Sequence, residues 1–159
     1  LVVILIKNYK VLCSGETFNK RIDKLPQLYT LELGYSFNNE INYLPSSINA
    51  LTIKNIKWNK KNNNLPNLIK ELCGGEYDEN RKYPLSLTKL CVTFNLNDKL
   101  ALKINLCTLK LLKRFEIIEN NYQHKKSDDN DNNNIKIIST PKSLKIMKIK
   151  NKLLLIDIN

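Results

Sequence analysis

The chain is poor in the residues on which chemistry usually rests. It holds one histidine, His124, and four cysteines, Cys13, Cys73, Cys91 and Cys107, with no Cys-x-x-Cys pair among them. A closed zinc site needs four His or Cys ligands at short spacings, so that class is excluded. A lone His at the edge of a polar tract leaves a Ser/His or Cys/His mechanism without a centre. Gly74-Gly75 is not followed by the Lys-Ser/Thr of a phosphate loop. Asp128, Asp129 and Asp131 lack the turn Gly and distal Glu of a calcium loop. Glu71, Glu76 and Asp78 read as a surface patch. The expectation is a protein that is not an enzyme and takes no cofactor or metal.

Long apolar runs are also missing. LVVILI is six residues closed by Lys7, too short for a membrane span or a signal h-region. It reads as an exposed first strand or a cap, and no membrane association is expected. Asn-x-Ser/Thr sequons are absent, and free thiols suit a reducing compartment. An intracellular, cytoplasmic location is expected.

Arginine is scarce in a chain of net charge +11: Arg21, Arg81 and Arg114 stand against 23 Lys. Bidentate recognition of phosphates and bases is mostly an Arg property, so a dedicated nucleic-acid reader is disfavoured. Lys, Asn and Ile together are what AT-rich coding sequence yields, and the 24 Asn fit that origin. The strongest sign of a selected basic surface is the run from Lys136 to Lys152, with six Lys and no acid. Such a run would bind polyanions weakly, or serve as a solvated outer face.

What is abundant is repetition. FNKRIDKLP (Phe18 to Pro26), FNNEINYLP (Phe37 to Pro45) and WNKKNNNLP (Trp58 to Pro66) say nearly the same thing, and an apolar triplet spaced L-x-x-L-x-L follows each. The triplets read Tyr9, Leu12, Ser14; Leu28, Leu31, Leu33; Ile48, Leu51, Ile53; Ile69, Leu72, Gly74; Leu87, Leu90, Val92; Leu106, Leu109, Leu111; and Leu144, Met147, Ile149. Their starts lie 18 to 21 residues apart, except for a last gap of 38. A unit this short cannot bury its own apolar face and must stack on its neighbours. The alternating last two positions suit a short strand with one buried face. Pro before the triplet suits a strand entry. An aromatic or large apolar residue eight to ten positions on (Phe18, Phe37, Trp58, Tyr77, Leu96, Phe115, Leu153) returns the chain to the core, on a side that is extended or a short helical turn. The fold class expected is a mainly-β repeat solenoid, a leucine-rich-repeat-like stack of about seven short units with a parallel strand face.

Phe18-Asn19-Lys20-Arg21-Ile22 and Phe37-Asn38-Asn39-Glu40-Ile41, each followed by Leu-Pro and a strand such as Leu28 to Gly34, resemble the FNIP repeat, a relative of the leucine-rich repeat. The likeness covers residues 9–93 well and the remainder loosely. It implies a non-catalytic protein-interaction solenoid, in a family where such arrays often accompany an F-box. Phe18, Asn19, Phe37, Asn38, Trp58 and Asn59 are then scaffold residues, the Asn side chains satisfying turns between units.

On this reading residues 1–8 are an N-terminal strand or cap, 9–119 the repeats, 120–134 a disordered polar insert, and 135–159 a degenerate last repeat with a C-terminal cap. The outward strand positions form a flat surface suited to another protein. Tyr29, Glu32, Thr52, Lys70, Lys89, Lys110, Lys145 and Lys148 are its candidate partner-binding residues, and a monomer is expected. Cys13, Cys73 and Cys91 share one outward position, with Cys73 and Cys91 on neighbouring strands. A disulfide between them is sterically allowed, and free thiols are expected. Two other functions are open: a Lys-rich module binding nucleic acid or another polyanion, and a truncated array without a partner, which the start at Leu1 and the fading motif after Tyr83 would suit.

Overall fold

The structure is a computed structural model that describes residues 2–6, 9–55, 57–58, 60, 65–77, 81–93, 103–118, 136–149 and 152–155. The expected insert at 120–134, including His124 and the three Asp residues, lies outside them, as does Asn59. Eleven strands are present among the described residues and no helix: β1 (Val2–Ile6), β2 (Tyr9–Cys13), β3 (Thr30–Leu33), β4 (Ala50–Ile53), β5 (Glu71–Glu76), β6 (Lys89–Thr93), β7 (Lys103–Asn105), β8 (Arg114–Ile118), β9 (Lys136–Ser139), β10 (Ile146–Ile149) and β11 (Lys152–Leu155).

Nine strands form one sheet in the order β1-β2-β3-β4-β5-β6-β8-β10-β11. The seven from β2 to β10 are mutually parallel. β1 closes one end and β11 the other, each antiparallel to its neighbour. The second sheet is a parallel pair, β7 with β9. The chain is thus a mainly-β, repeat-like stack in which each parallel strand pairs with the strands of adjacent units.

The register explains the apolar triplet. Leu12, Leu31, Leu51, Leu72, Leu90, Phe115 and Met147 stand opposite one another across the sheet, and all are at most 3% exposed. A second buried row, Leu28, Ile48, Ile69, Leu87, Leu112 and Leu144, precedes the strands. Phe37, Ile41, Trp58 and Leu65 close the core from the return side. Burying one such Leu contributes about 2 kcal/mol, and no unit could collect this alone.

Two turns recur. Before the strands, the N–H groups of Ile48, Ile69, Leu87 and Leu144 donate to the carbonyls of Pro45, Pro66, Pro84 and Pro141 at 3.1 to 3.2 Å. After them, Phe18, Phe37 and Trp58 donate to Gly15, Gly34 and Asn55 in the same way. These tight turns take the place of the short helical turn allowed for on the return side.

The sixth unit departs from its expected register. Leu106, Leu109 and Leu111 were the expected triplet; Leu106 and Leu109 are buried, but Leu111 is 55% exposed, and the buried triplet that enters the sheet is Leu112, Phe115 and Ile117. Phe115 is a strand residue and not a return aromatic. Two successive turns, Leu109 onto Leu106 and Leu112 onto Leu109, delay the strand until Arg114.

Candidate functional site

One face of the parallel sheet holds the core, so the intervening side chains form the other. Alternation along each strand places two outward columns side by side. The first runs Val11, Thr30, Ala50, Glu71, Lys89, Arg114, Ile146 and the second Cys13, Glu32, Thr52, Cys73, Cys91, Glu116, Lys148. Seven strands at about 4.8 Å spacing make a face roughly 29 Å wide.

A third column lies at the strand entries, held by a chain of backbone hydrogen bonds. The N–H of Tyr29 donates to Lys10, Asn49 to Tyr29, Lys70 to Asn49, Thr88 to Lys70, Lys113 to Thr88 and Lys145 to Lys113, at 2.8 to 2.9 Å. Tyr29, Lys70 and Lys145 are therefore brought into one row, with Tyr29 41% exposed as its aromatic member. Glu32, Thr52 and Lys148 share the second outward column, and Lys89 lies in the first. Lys110 is not brought to this face: it sits in the added turn of the sixth unit, and Glu116 occupies the outward position expected for it, while Lys113 takes the entry position expected for Cys107.

Charge on the face is paired as well as positive. Lys54 lies 2.5 Å from Glu32, Lys89 lies 3.6 Å from Glu71, and Arg114 pairs with Glu116. Its hydrogen bond to Glu32 holds Lys54 above the usual lysine value, and the same kind of bond to Glu116 raises Arg114. Burial, then the Glu32 carboxylate, pushes the Cys13 thiol up. Lys113, Lys145 and Lys148 gather toward the β10 end without a described acidic partner, so the face grows more basic in that direction.

The scaffold positions sit behind this face. Phe18 and Phe37 stack with centroids 6.3 Å apart. Asn19 Oδ1 accepts the Asn38 backbone N–H at 2.8 Å and the Asn39 side-chain amide at 2.7 Å, joining two units. Trp58 Nε1 donates to the Asn39 carbonyl at 2.9 Å.

A serine row with the same role was not anticipated. Ser47 Oγ donates to the Leu28 carbonyl at 2.7 Å and accepts the Leu28 N–H at 3.1 Å. Ser86 donates to the Ile69 carbonyl and Ser143 to the Leu112 carbonyl. The signal was present as Pro-x-Ser-Leu/Ile in three units, Pro45 to Ile48, Pro84 to Leu87 and Pro141 to Leu144. Arg81 was also missed: it lies over Trp58 and lines a return-side cleft of about 410 Å³ with Tyr77, Tyr83 and Asn105.

Compared with family profiles, curated proteins and solved structures, the chain gives no match. No helix among the described residues is long and apolar enough to cross a membrane. Nor do three or more His, Cys, Asp or Glu side chains converge there as a metal set. What the face offers chemically is a broad mosaic of hydroxyl, thiol, ion-paired and basic groups on a regular backbone.

Proposed function

We propose that the chain is a non-catalytic protein–protein interaction scaffold, a leucine-rich-repeat-like solenoid of the FNIP kind that receives its partner on the outward face of the seven parallel strands. The observation that carries this is the in-register pair of outward columns on a sheet whose other face is filled by its own core. A surface of that width and flatness suits a macromolecule more than a small ligand. The resemblance in residues 9–93 supports the same reading, and with it substrate recognition within an F-box-type adaptor, by a monomeric cytoplasmic protein.

Photo-crosslinking from the full chain tests it. A benzophenone side chain at Thr52, on the face, is expected to capture a partner that the same group at Tyr43, exposed on the return side, does not. Lys145→Glu with Lys148→Glu should weaken that partner at least tenfold. Equal capture from both positions would refute the reading.

The basic end supports a second reading, a polyanion-binding module centred on Lys113, Lys145 and Lys148. Binding of heparin or single-stranded RNA that falls steeply with salt and is lost in the same double variant would favour it.

A further inference from the structure

Cys73 and Cys91 are the only described cysteines in directly opposed positions, Cys73 on β5 facing Cys91 on β6. Their sulfurs are 2.9 Å apart, and both are free thiols. Cys13 shares the column but faces Glu32, with β3 and β4 between it and Cys73. Cys107 is exposed outside the column.

Adjacent strands put opposed Cα atoms about 4.8 Å apart, inside the range of roughly 4.4 to 6.8 Å that a disulfide spans. The Cβ atoms must still draw slightly together, which a straight parallel ladder resists. Here the ladder breaks immediately after Cys73: Gly74 and Gly75 have φ of 108° and 77°, and the register shifts between Cys73 and Glu76. The register break lies directly beside the pair, so Cys73 is not held by a regular ladder on its C-terminal side.

The two thiols also have different surroundings. Cys73 is half-buried, whereas Cys91 is 2% exposed despite its outward position, with Cys73 and the Glu116 carboxylate, 3.9 Å away, against its sulfur. The hydrogen bond shared with Cys91 lowers the Cys73 thiol; burial opposes this and the Lys89 charge adds to it. The same bond, then burial, pushes Cys91 up. The reachable sulfur is thus the readier thiolate, and the covered one is placed to follow.

We propose that Cys73 and Cys91 form a cross-strand dithiol site that a small-molecule disulfide converts to an intrachain disulfide joining β5 to β6. The Cys73 thiolate attacks one sulfur of the reagent RS–SR. The reagent's S–S bond breaks, a mixed disulfide forms on Cys73, and the first RS⁻ leaves and takes up the proton Cys73 had released. Cys91 then attacks the Cys73 sulfur; the mixed disulfide breaks, and the second RS⁻ leaves with the Cys91 proton. Two protein thiols are oxidised, one RS–SR is reduced, and two RSH are produced. The bond would lie in the middle of the outward face, and the inference holds whatever that face binds.

Oxidised glutathione added to the full reduced chain tests it, followed by N-ethylmaleimide quenching and mass spectrometry of an unreduced digest. The expected product links the peptides of Cys73 and Cys91, leaves no glutathione on either, and forms equally in the Cys13→Ser/Cys107→Ser double variant. In Cys91→Val, which keeps an apolar side chain in the covered position, Cys73 should stop at the glutathione adduct. Should Cys91→Val fail to fold, the double variant alone decides. Maleimide on both Cys73 and Cys91, stable glutathione adducts on the unmutated pair, or links to Cys13 or Cys107 instead would overturn the proposal.

Discussion

The guanidinium carbon of Arg81 lies 5.3 Å from the Trp58 ring centre and 6.0 Å from that of Tyr83. Arg81 is 9% exposed; one terminal nitrogen reaches the Lys60 carbonyl at 3.4 Å, and its buried Nε has no hydrogen-bond partner among the described residues. The residue contributes stacking and stem packing while leaving a donor unsatisfied. Arg81→Met should therefore be as stable as the parent within about 1 kcal/mol, whereas Arg81→Ala should lose about 1–3 kcal/mol. Urea unfolding distinguishes the two; an equal loss in both would show that the charge itself stabilises the fold.

Gly74 packs its backbone against the preceding unit. A Cβ there would lie 1.9 Å from the Ile53 carbonyl oxygen, at a φ that L side chains rarely adopt. Gly74→Ala should cost about 2 kcal/mol or more, or prevent folding. Gly15→Ala, where a Cβ meets nothing within 4 Å, should stay within about 0.5 kcal/mol. Thermal melts of the pair check this.

The Ser47 hydroxyl both donates to and accepts from the backbone of Leu28. Removing it leaves both peptide groups short of a partner, so Ser47→Ala should lose about 1–2 kcal/mol. The neighbouring Ser46→Ala should be nearly neutral in the same unfolding assay, since Ser46 is exposed and makes no such bond among the described residues.

The register of the sixth unit has a direct test. Phe115 is fully buried and Leu111 is 55% exposed. Phe115→Ala should cost about 3–5 kcal/mol and Leu111→Ala under about 0.5. The opposite ranking would restore the Leu106, Leu109, Leu111 triplet.

Alkylation of Cys13 should accelerate only above the ordinary thiol pH range, because burial and the Glu32 carboxylate both disfavour its thiolate. Glu32→Gln removes the nearby negative charge and leaves Lys54 beside the thiol. The alkylation midpoint should then move down in pH, as followed by mass spectrometry across a pH series. A midpoint unmoved by Glu32→Gln would leave burial as the sole cause.

Much of the fold was legible because its units state the same pattern repeatedly. Leu31, Leu51, Leu72 and Leu90 mark one buried row, and each triplet confirms the others. The sixth unit was misread for a physical reason. Leu106, Leu109 and Leu112 are three residues apart, so its triplet can slide by three or by six and still begin on a leucine, and here it slides by six. Only the pairing of β8 between β6 and β10 settles that choice. Lys110 was placed on the outward face by the same slip, and Lys113, Arg114 and Glu116 were overlooked.

The need to stack is a property of the chain itself. Units of about 20 residues with one apolar side have no other way to leave water, and the expected parallel strands and the opposition of Cys73 to Cys91 follow from that spacing. Contacts that depend on how neighbouring units settle were decided only in three dimensions. Arg81 comes to rest over Trp58, 23 residues earlier in the chain. Cys91 is covered although its strand position points outward, and its sulfur meets Cys73 beside a two-glycine bulge. Periodicity sets which side a residue faces, but the packing of adjacent coils sets what it touches and how far it is buried.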